Sequence, residues 1–318
     1  MKKIKLLLCL FMLTTLCGCS NSNKNESSKT LNAAMFWIST SLDPTNNYDG
    51  WVLSRIGVGE TLLKLNEKYE VEPSLAKSYE QIDDTTWKLT LKDHITFSNG
   101  NKVTGENVKA CLERAFEKNT RAIDYFDLNH VEADKQDVYL YLNKSSGAIL
   151  NNLCEPLFTI YDASQSEVDI AKHPLCTGPF VVDDFVSEKT IDTSKNKKYY
   201  DGKAKLDHVH FSQVADSDAR VLALQSGEVD LANTIDYSSL KLFRNNKDYQ
   251  VLEVLGPRTN VIYMNNETTF LSDLTIRKAL SYSVDRKSIV KLIGGKEATG
   301  LYSSALPYGN VSNAIALI

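Results

Sequence analysis

Two stretches of this chain alternate apolar and polar residues without a break. In the first, Trp87, Leu89 and Leu91 point one way and Lys88, Thr90 and Lys92 the other; the second is Val138-Tyr139-Leu140-Tyr141-Leu142. A period of two fits only a strand with one face on a core. Between them the period changes to 3.6: Thr104 is placed to cap a helix, Glu106 and Asn107 fall in its first turn, and Val108, Cys111/Leu112 and Ala115/Phe116 form its apolar stripe. The remaining pattern adds a short strand in 31–38, the turn Leu42-Asp43-Pro44, a helix and its exit over 51–65, and a loop and short helix over 73–78. Ile95 and Phe97 lead into a turn at Ser98-Asn99-Gly100, and 177–211 carries short strands at 180–182 and 206–211 separated by polar turns. A helix over 217–227 closes on Gly227, strand pattern returns over 251–265, and two successive helices fill 273–293. With no regular β-α-β rhythm, the fold class expected is α/β in the mixed, α+β sense.

The composition agrees with a folded body. Of 318 residues 42% are hydrophobic and 24% charged, with a formal net charge of −4, which excludes a disordered or low-complexity chain and allows roughly two domains. The slight acidity argues against nucleic acid as a partner, since phosphate binding needs a clustered basic face.

The first residues address the compartment. Lys2, Lys3 and Lys5 precede an apolar run from Leu6 to Leu16, far short of the ~20 residues of a membrane span, so 1–18 reads as a secretory signal. The run ends Leu16-Cys17-Gly18-Cys19, which resembles a bacterial lipobox with Cys19 as the lipidated residue; the polar segment 19–29 then serves as a flexible tether. Removing 1–18 takes three lysines and no acid and leaves a net charge of −7. Cys111, Cys154 and Cys176 remain in the body, an odd set open to a Cys154–Cys176 disulfide or to buried free thiols.

Catalytic patterns are absent. No Gly-x-Ser-x-Gly elbow, phosphate-binding Gly-rich loop, His-Glu-x-x-His or Cys-x-x-Cys occurs, so hydrolase, nucleotide and zinc chemistry have no motif behind them and the chain is not read as an enzyme. His208 and His210 share a strand face but lack a third ligand nearby, which favours a solvated face over a metal site.

Nine segments in order resemble solute-binding protein family 5, the extracytoplasmic peptide- and nickel-binding lipoproteins of ABC importers. They are Leu42-Asp43-Pro44; Gly59-Glu60-Thr61-Leu62; the Glu72-Pro73-Ser74-Leu75-Ala76 run to Tyr79; Trp87 to Lys92; and Phe97-Ser98-Asn99-Gly100 leading into Thr104 to Val108. Thr177-Gly178-Pro179-Phe180, Asn196 to Gly202, Leu224 to Asp230 and Ile276 to Arg286 complete the set. The resemblance implies a periplasmic-binding-protein-like type II two-lobe clamp with an extra domain: lobe I from 30–63 and 164–260, the extra domain at 64–163, and the start of lobe II at 261–318. In the family that second lobe runs on well past the position of Ile318, so a C-terminally truncated lobe is expected, with the apolar positions Ile276, Leu280, Val284, Ile289 and Ile293 left exposed.

The same resemblance implies a ligand between the lobes, a nickel chelate or metallophore or else a short peptide. Gly50 to Arg55 with Gly59 to Leu62 and Phe97 to Gly100 look closer to the nickel branch. There Arg55, Arg121 and Arg258 would supply charge and Trp51 and Tyr125 would stack on or shield the chelate; an arginine of some nickel binders is replaced here by Leu153-Cys154-Glu155-Pro156. The implied partners are ABC permease subunits and, through lipid on Cys19, the outer face of the cell membrane, with the protein a monomer and no cofactor of its own. The alternative is a non-transport surface sensor or trap, or a non-functional remnant.

Overall fold

The structure, a computed structural model, describes residues 28–298 and 300–306. The signal segment, Cys19, nearly all of the tether and the last part of 261–318 lie outside them. In chain order the strands are β1 (Thr30–Met35), β2 (Leu63–Leu65), β3 (Val71–Pro73), β4 (Ala76–Gln81), β5 (Thr86–Leu91), β6 (Leu128–Asp134), β7 (Asp137–Leu142), β8 (Phe180–Val186), β9 (Thr190–Lys195), β10 (His208–Gln213) and β11 (Leu231–Ala232).

The two alternating segments pair directly. β5 and β7 run antiparallel with Trp87 opposite Leu140 and Leu89 opposite Val138, at the centre of a four-stranded sheet ordered β4-β5-β7-β6. Leu89, Leu91, Val138 and Leu140 are buried on one face. The helix Gly105–Lys118 starts with a capping box, in which the Asn107 N–H reaches the Thr104 hydroxyl and the Asn107 side chain accepts from the Thr104 N–H. Its Val108, Cys111, Leu112 and Ala115 are buried, and it packs on β6 and β7. Gly105 is required there, since a Cβ would stand 2.9 Å from the Asp137 carbonyl oxygen.

The second sheet gathers distant pieces of chain, in the order β11-β1-β10-β9-β8. β1 lies parallel to β10 on one side and to β11 on the other, so Ala33 is opposite both Phe211 and Leu231. One continuous core joins the sheets: Ala33 and Met35 from this one, Leu89 and Val138 from the other, and Phe97, Phe158, Ile160 and Tyr161 from the segments between.

Some expectations change. The 73–78 region is not a short helix; Ala76–Gln81 is strand β4, because its N–H and C=O groups pair with β5. β9 occupies a stretch that reads as polar turns, its alternation resting on Ile191 and Thr193, which are buried. Residues 251–265 form no strand, since none of the other described segments lies alongside to complete a ladder. All three body cysteines are free thiols; Cys111 and Cys176 are buried, and the Cys111 thiol donates to the Tyr161 carbonyl.

The last helices, Leu274–Ser283 and Arg286–Ile293, are capped by Asp273 and Asp285. Ile276, Leu280, Ile289 and Ile293 are all more than a third exposed, as the sequence leads one to expect, whereas Val284 is half-covered. With so little packing on that face, the amide protons of 274–293 should exchange much faster than those of Leu89 and Val138. Hydrogen exchange followed by mass spectrometry checks this, and equal protection would refute it. Among the described residues no helix is long and apolar enough to cross a membrane.

Candidate ligand-binding site

The helix Gly50–Arg55 is held against the short turn Pro156–Phe158 so tightly that a Cβ on Gly50 would stand 2.3 Å from the Pro156 carbonyl oxygen. That contact brings Trp51 beside Glu155, and the indole N–H donates to the Glu155 carboxylate at 2.8 Å. Four residues on, Arg55 shares the face of Trp51, as i and i+4 side chains do on a helix. Its guanidinium carbon lies 5.6 Å from the Trp51 ring centre and 5.6 Å from that of Phe36.

Arg258 enters from the irregular segment after residue 250. The Tyr69 hydroxyl donates to the Leu255 carbonyl and the Ser303 hydroxyl to that of Gly256, which holds the backbone just ahead of Arg258. Arg55 keeps an exposed face, yet partial burial lowers its pKa, and the like charge of Arg258 lowers it further. Among the described residues neither arginine has a carboxylate partner. Two cations brought together without a counter-charge repel each other, and an anion between them removes the repulsion.

Arg121 is used differently. Its guanidinium donates to the Asn47 carbonyl at 2.8 Å and to the Tyr125 hydroxyl at 2.7 Å, lies 3.9 Å from the Glu155 carboxylate, and stacks 3.7 Å from the ring centre of Tyr48. Tyr125 sets its ring edge on Phe158, and burial followed by the charge of Glu155 pushes its hydroxyl pKa up to about 12. Burial also raises the pKa of Glu155, against hydrogen bonds from Trp51 and Tyr125 and the attraction of Arg121.

The five residues singled out in the sequence therefore fall in two linked groups. In one, Arg55 lies over the Trp51 ring and feels the charge of Arg258, with no carboxylate partner for either arginine among the described residues; in the other, Arg121 and Tyr125 are engaged by protein groups. Sequence reasoning missed Phe36, Tyr48 and Glu155 as members of this cluster. For Glu155 a signal existed, the Leu153 to Pro156 segment that departs from the nickel-binder pattern; for Phe36 and Tyr48 none did.

Other chemistry is weaker. His210 sits 2.6 Å from Asp192 on the neighbouring strand, and no cluster of three or more His, Cys, Asp or Glu able to hold a metal occurs among the described residues. A cavity of about 140 Å³ beside the helix, lined by Ser54, Glu60 and Cys154 among others, is too small for a chelate. Burial pushes the Cys154 thiol up to about 12, so it is not a thiolate at neutral pH.

Asp49, just ahead of the Trp51 helix, is buried, accepts from the Asn46 amide at 2.6 Å, and lies near Asp43. Burial raises its pKa to about 6. A carboxyl raised on folding stabilises fully below its unfolded value and loses that contribution as pH rises through the folded one. Asp49→Asn should therefore gain on the order of 1–2 kcal/mol over the wild type at pH 7, the gap closing toward pH 4. Urea unfolding at several pH values tests this; a pH-independent gap would contradict it.

Residues 70–315 match the family described as bacterial extracellular solute-binding proteins, family 5 Middle. The chain is 31% identical over 296 residues to the nickel-binding protein NikA of Staphylococcus aureus, a match covering 92% of this chain and 59% of that protein. It is 28% identical over 259 residues to the glutathione-binding protein GsiB of Escherichia coli, covering 78% of this chain and 51% of the other. Among solved structures, NikA from Staphylococcus aureus in complex with Ni(L-His)2 superposes with a TM-score of 0.74 at 29% identity, covering 88% of this chain and 60% of that one. A nickel ABC transporter structure from Bacillus halodurans gives a TM-score of 0.73 at 28% identity, covering 88% and 59%. The chain thus spans between about half and three fifths of the length of these relatives. On this fold and this match along most of its length, the chain belongs to the family 5 bacterial extracellular solute-binding proteins.

Proposed function

We propose that the chain is the ligand-capturing part of an ABC importer: a receptor lipid-anchored through Cys19 on the outer face of the cell membrane, which binds a nickel chelate and passes it to the permease subunits. The observation that carries this reading is Arg55, a cation over the Trp51 ring that also feels the like charge of Arg258, with no carboxylate partner for either arginine among the described residues. A chelate bearing carboxylates would relieve their repulsion and gain charge-assisted hydrogen bonds, with the indole face covering it. The relatives named as nickel-binding support that choice of ligand. The relative named as glutathione-binding supports the second reading, a short peptide.

The domain organisation proposed with it follows the sheets. The sheet of β1 and β8 to β11 belongs to lobe I, 30–63 with 164–260, the sheet of β4 to β7 to the extra domain at 64–163, and the last helices to the second lobe. Isothermal titration of the chain with Ni(L-His)2, and separately with glutathione, tests the function. Saturable binding of the nickel complex with little response to glutathione is expected. Saturation by glutathione alone would favour the peptide reading, and no response to either at millimolar ligand would favour the sensor, trap or remnant.

A further inference from the structure

Among the described residues, Glu155 is the one carboxylate that meets both Trp51 and Arg121. Its side chain is 13% exposed; one oxygen accepts from the Trp51 indole at 2.8 Å, and the same oxygen stands 3.9 Å from the guanidinium of Arg121. The Tyr125 hydroxyl, which accepts from Arg121, turns toward Glu155 as well. Glu155 is preceded by a segment reaching back to the helix Ile149–Asn152 and followed by Pro156, whose carbonyl presses on Gly50, so its backbone has little room to move. The carboxylate thus does two things at once. It fixes the plane of the Trp51 ring against which Arg55 stacks, and it offsets the charge of Arg121, whereas Arg55 and Arg258 have no carboxylate partner among the described residues.

We propose that Glu155 is a specificity-determining residue, which by holding Trp51 and engaging Arg121 matches the site to chelates with two carboxylates and against more highly charged polycarboxylates. This rests on the chelate reading above. A third free arginine would favour a more anionic ligand, since each uncompensated charge in a partly desolvated site is matched best by one opposite charge. A residue of purely structural importance would weaken all ligands alike; a charge-setting residue changes their ratio.

Glu155→Gln keeps an oxygen to accept from Trp51 and nearly the same shape, but removes the charge facing Arg121. Titration calorimetry of the chain with Ni(L-His)2 and with nickel citrate reads the ratio of the two affinities. The ratio should move roughly five-fold or more toward citrate in Glu155→Gln, and adding Arg121→Gln should bring it back. A ratio within about two-fold of the wild type overturns the proposal, because charge differences that small are those of screened surface groups. A second readout needs no ligand: the nitrogen-15 indole resonance of Trp51, identified by its loss in Trp51→Phe, should titrate with pH in the wild type and be flat in Glu155→Gln. If the wild type binds neither nickel complex, the chelate reading fails, and specificity for such chelates with it. The resonance then decides separately whether Glu155 positions Trp51: a flat wild-type signal overturns that part too.

Discussion

Arg114→Ala should lower the free energy of unfolding by about 3–5 kcal/mol, because it strands a buried carboxylate. Arg114 grips Asp43 with both nitrogens, at 2.9 and 2.6 Å, and donates from one of them to the hydroxyls of Thr45 at 2.7 Å and Tyr161 at 2.9 Å. The two charged side chains are only 14% and 12% exposed. Burial alone would raise the pKa of Asp43, but the bonds from Arg114 and Thr45 outweigh it and hold the carboxyl below its ordinary value. The pair's stabilisation is therefore present above that ordinary value and lost as pH falls through the lowered one, so the difference between wild type and variant should shrink in acid. Asp43→Ala added to Arg114→Ala should recover part of the loss, since the uncompensated charge is then gone. Urea unfolding of the three chains reads this, and a loss below about 1 kcal/mol for Arg114→Ala would place the pair with screened surface bridges.

The second large effect is on binding. Arg55→Ala should weaken Ni(L-His)2 by about 30–100-fold, equivalent to about 2–3 kcal/mol, the usual loss when one charged partner of a desolvated contact is removed. Stability should change by less than about 0.5 kcal/mol, because no carboxylate among the described residues depends on Arg55 and its removal relieves repulsion from Arg258. Arg55→Lys should recover only part of the affinity: a lysine keeps the charge but not the planar fork that stacks on Trp51 and meets a carboxylate with two donors. Equal affinity in wild type and Arg55→Ala would remove this arginine, and with it the pairing argument, from the ligand site. Because the stability and binding effects fall on different residues, Arg114 in the core and Arg55 at the surface, misfolding and loss of recognition are separable.

Much of the fold was legible where the pattern is local. The strands at Trp87–Leu91 and Val138–Leu142 follow from period two, and the helix between them from its 3.6 stripe and the Thr104 cap. The last two helices carry their own aspartate caps, and Gly227 closes its helix at φ +74, where a side chain is disfavoured. Ordered short segments also identified the family, since they mark turns, caps, strands and helices of the scaffold in a fixed order. The strands at 76–81 and 190–195 were not legible: Ala-Lys-Ser-Tyr-Glu-Gln and Thr-Ile-Asp-Thr-Ser-Lys have weak patterns and become strands only because β5 and, for the second, β8 and β10 offer backbone partners. The reverse error at 251–265 has the same cause, an adequate pattern without a neighbour.

By itself the sequence determined the local elements, the family and the residue types from which an anion site could be built, because propensity, capping and periodicity act within a few residues. Only the tertiary structure decided that β1 joins strands some 180 and 200 residues away, with Ala33 opposite Phe211 and Leu231, and that Arg55 comes within the electrostatic influence of Arg258. It likewise decided which arginines are spent. Arg121 and Arg55 look alike in one dimension, yet Arg121 finds the Asn47 carbonyl, Tyr125 and Glu155, while Arg55 lies over the rings of Phe36 and Trp51 and has no carboxylate partner among the described residues. Charge compensation depends on distance in space, and distance in space is what a linear pattern does not carry.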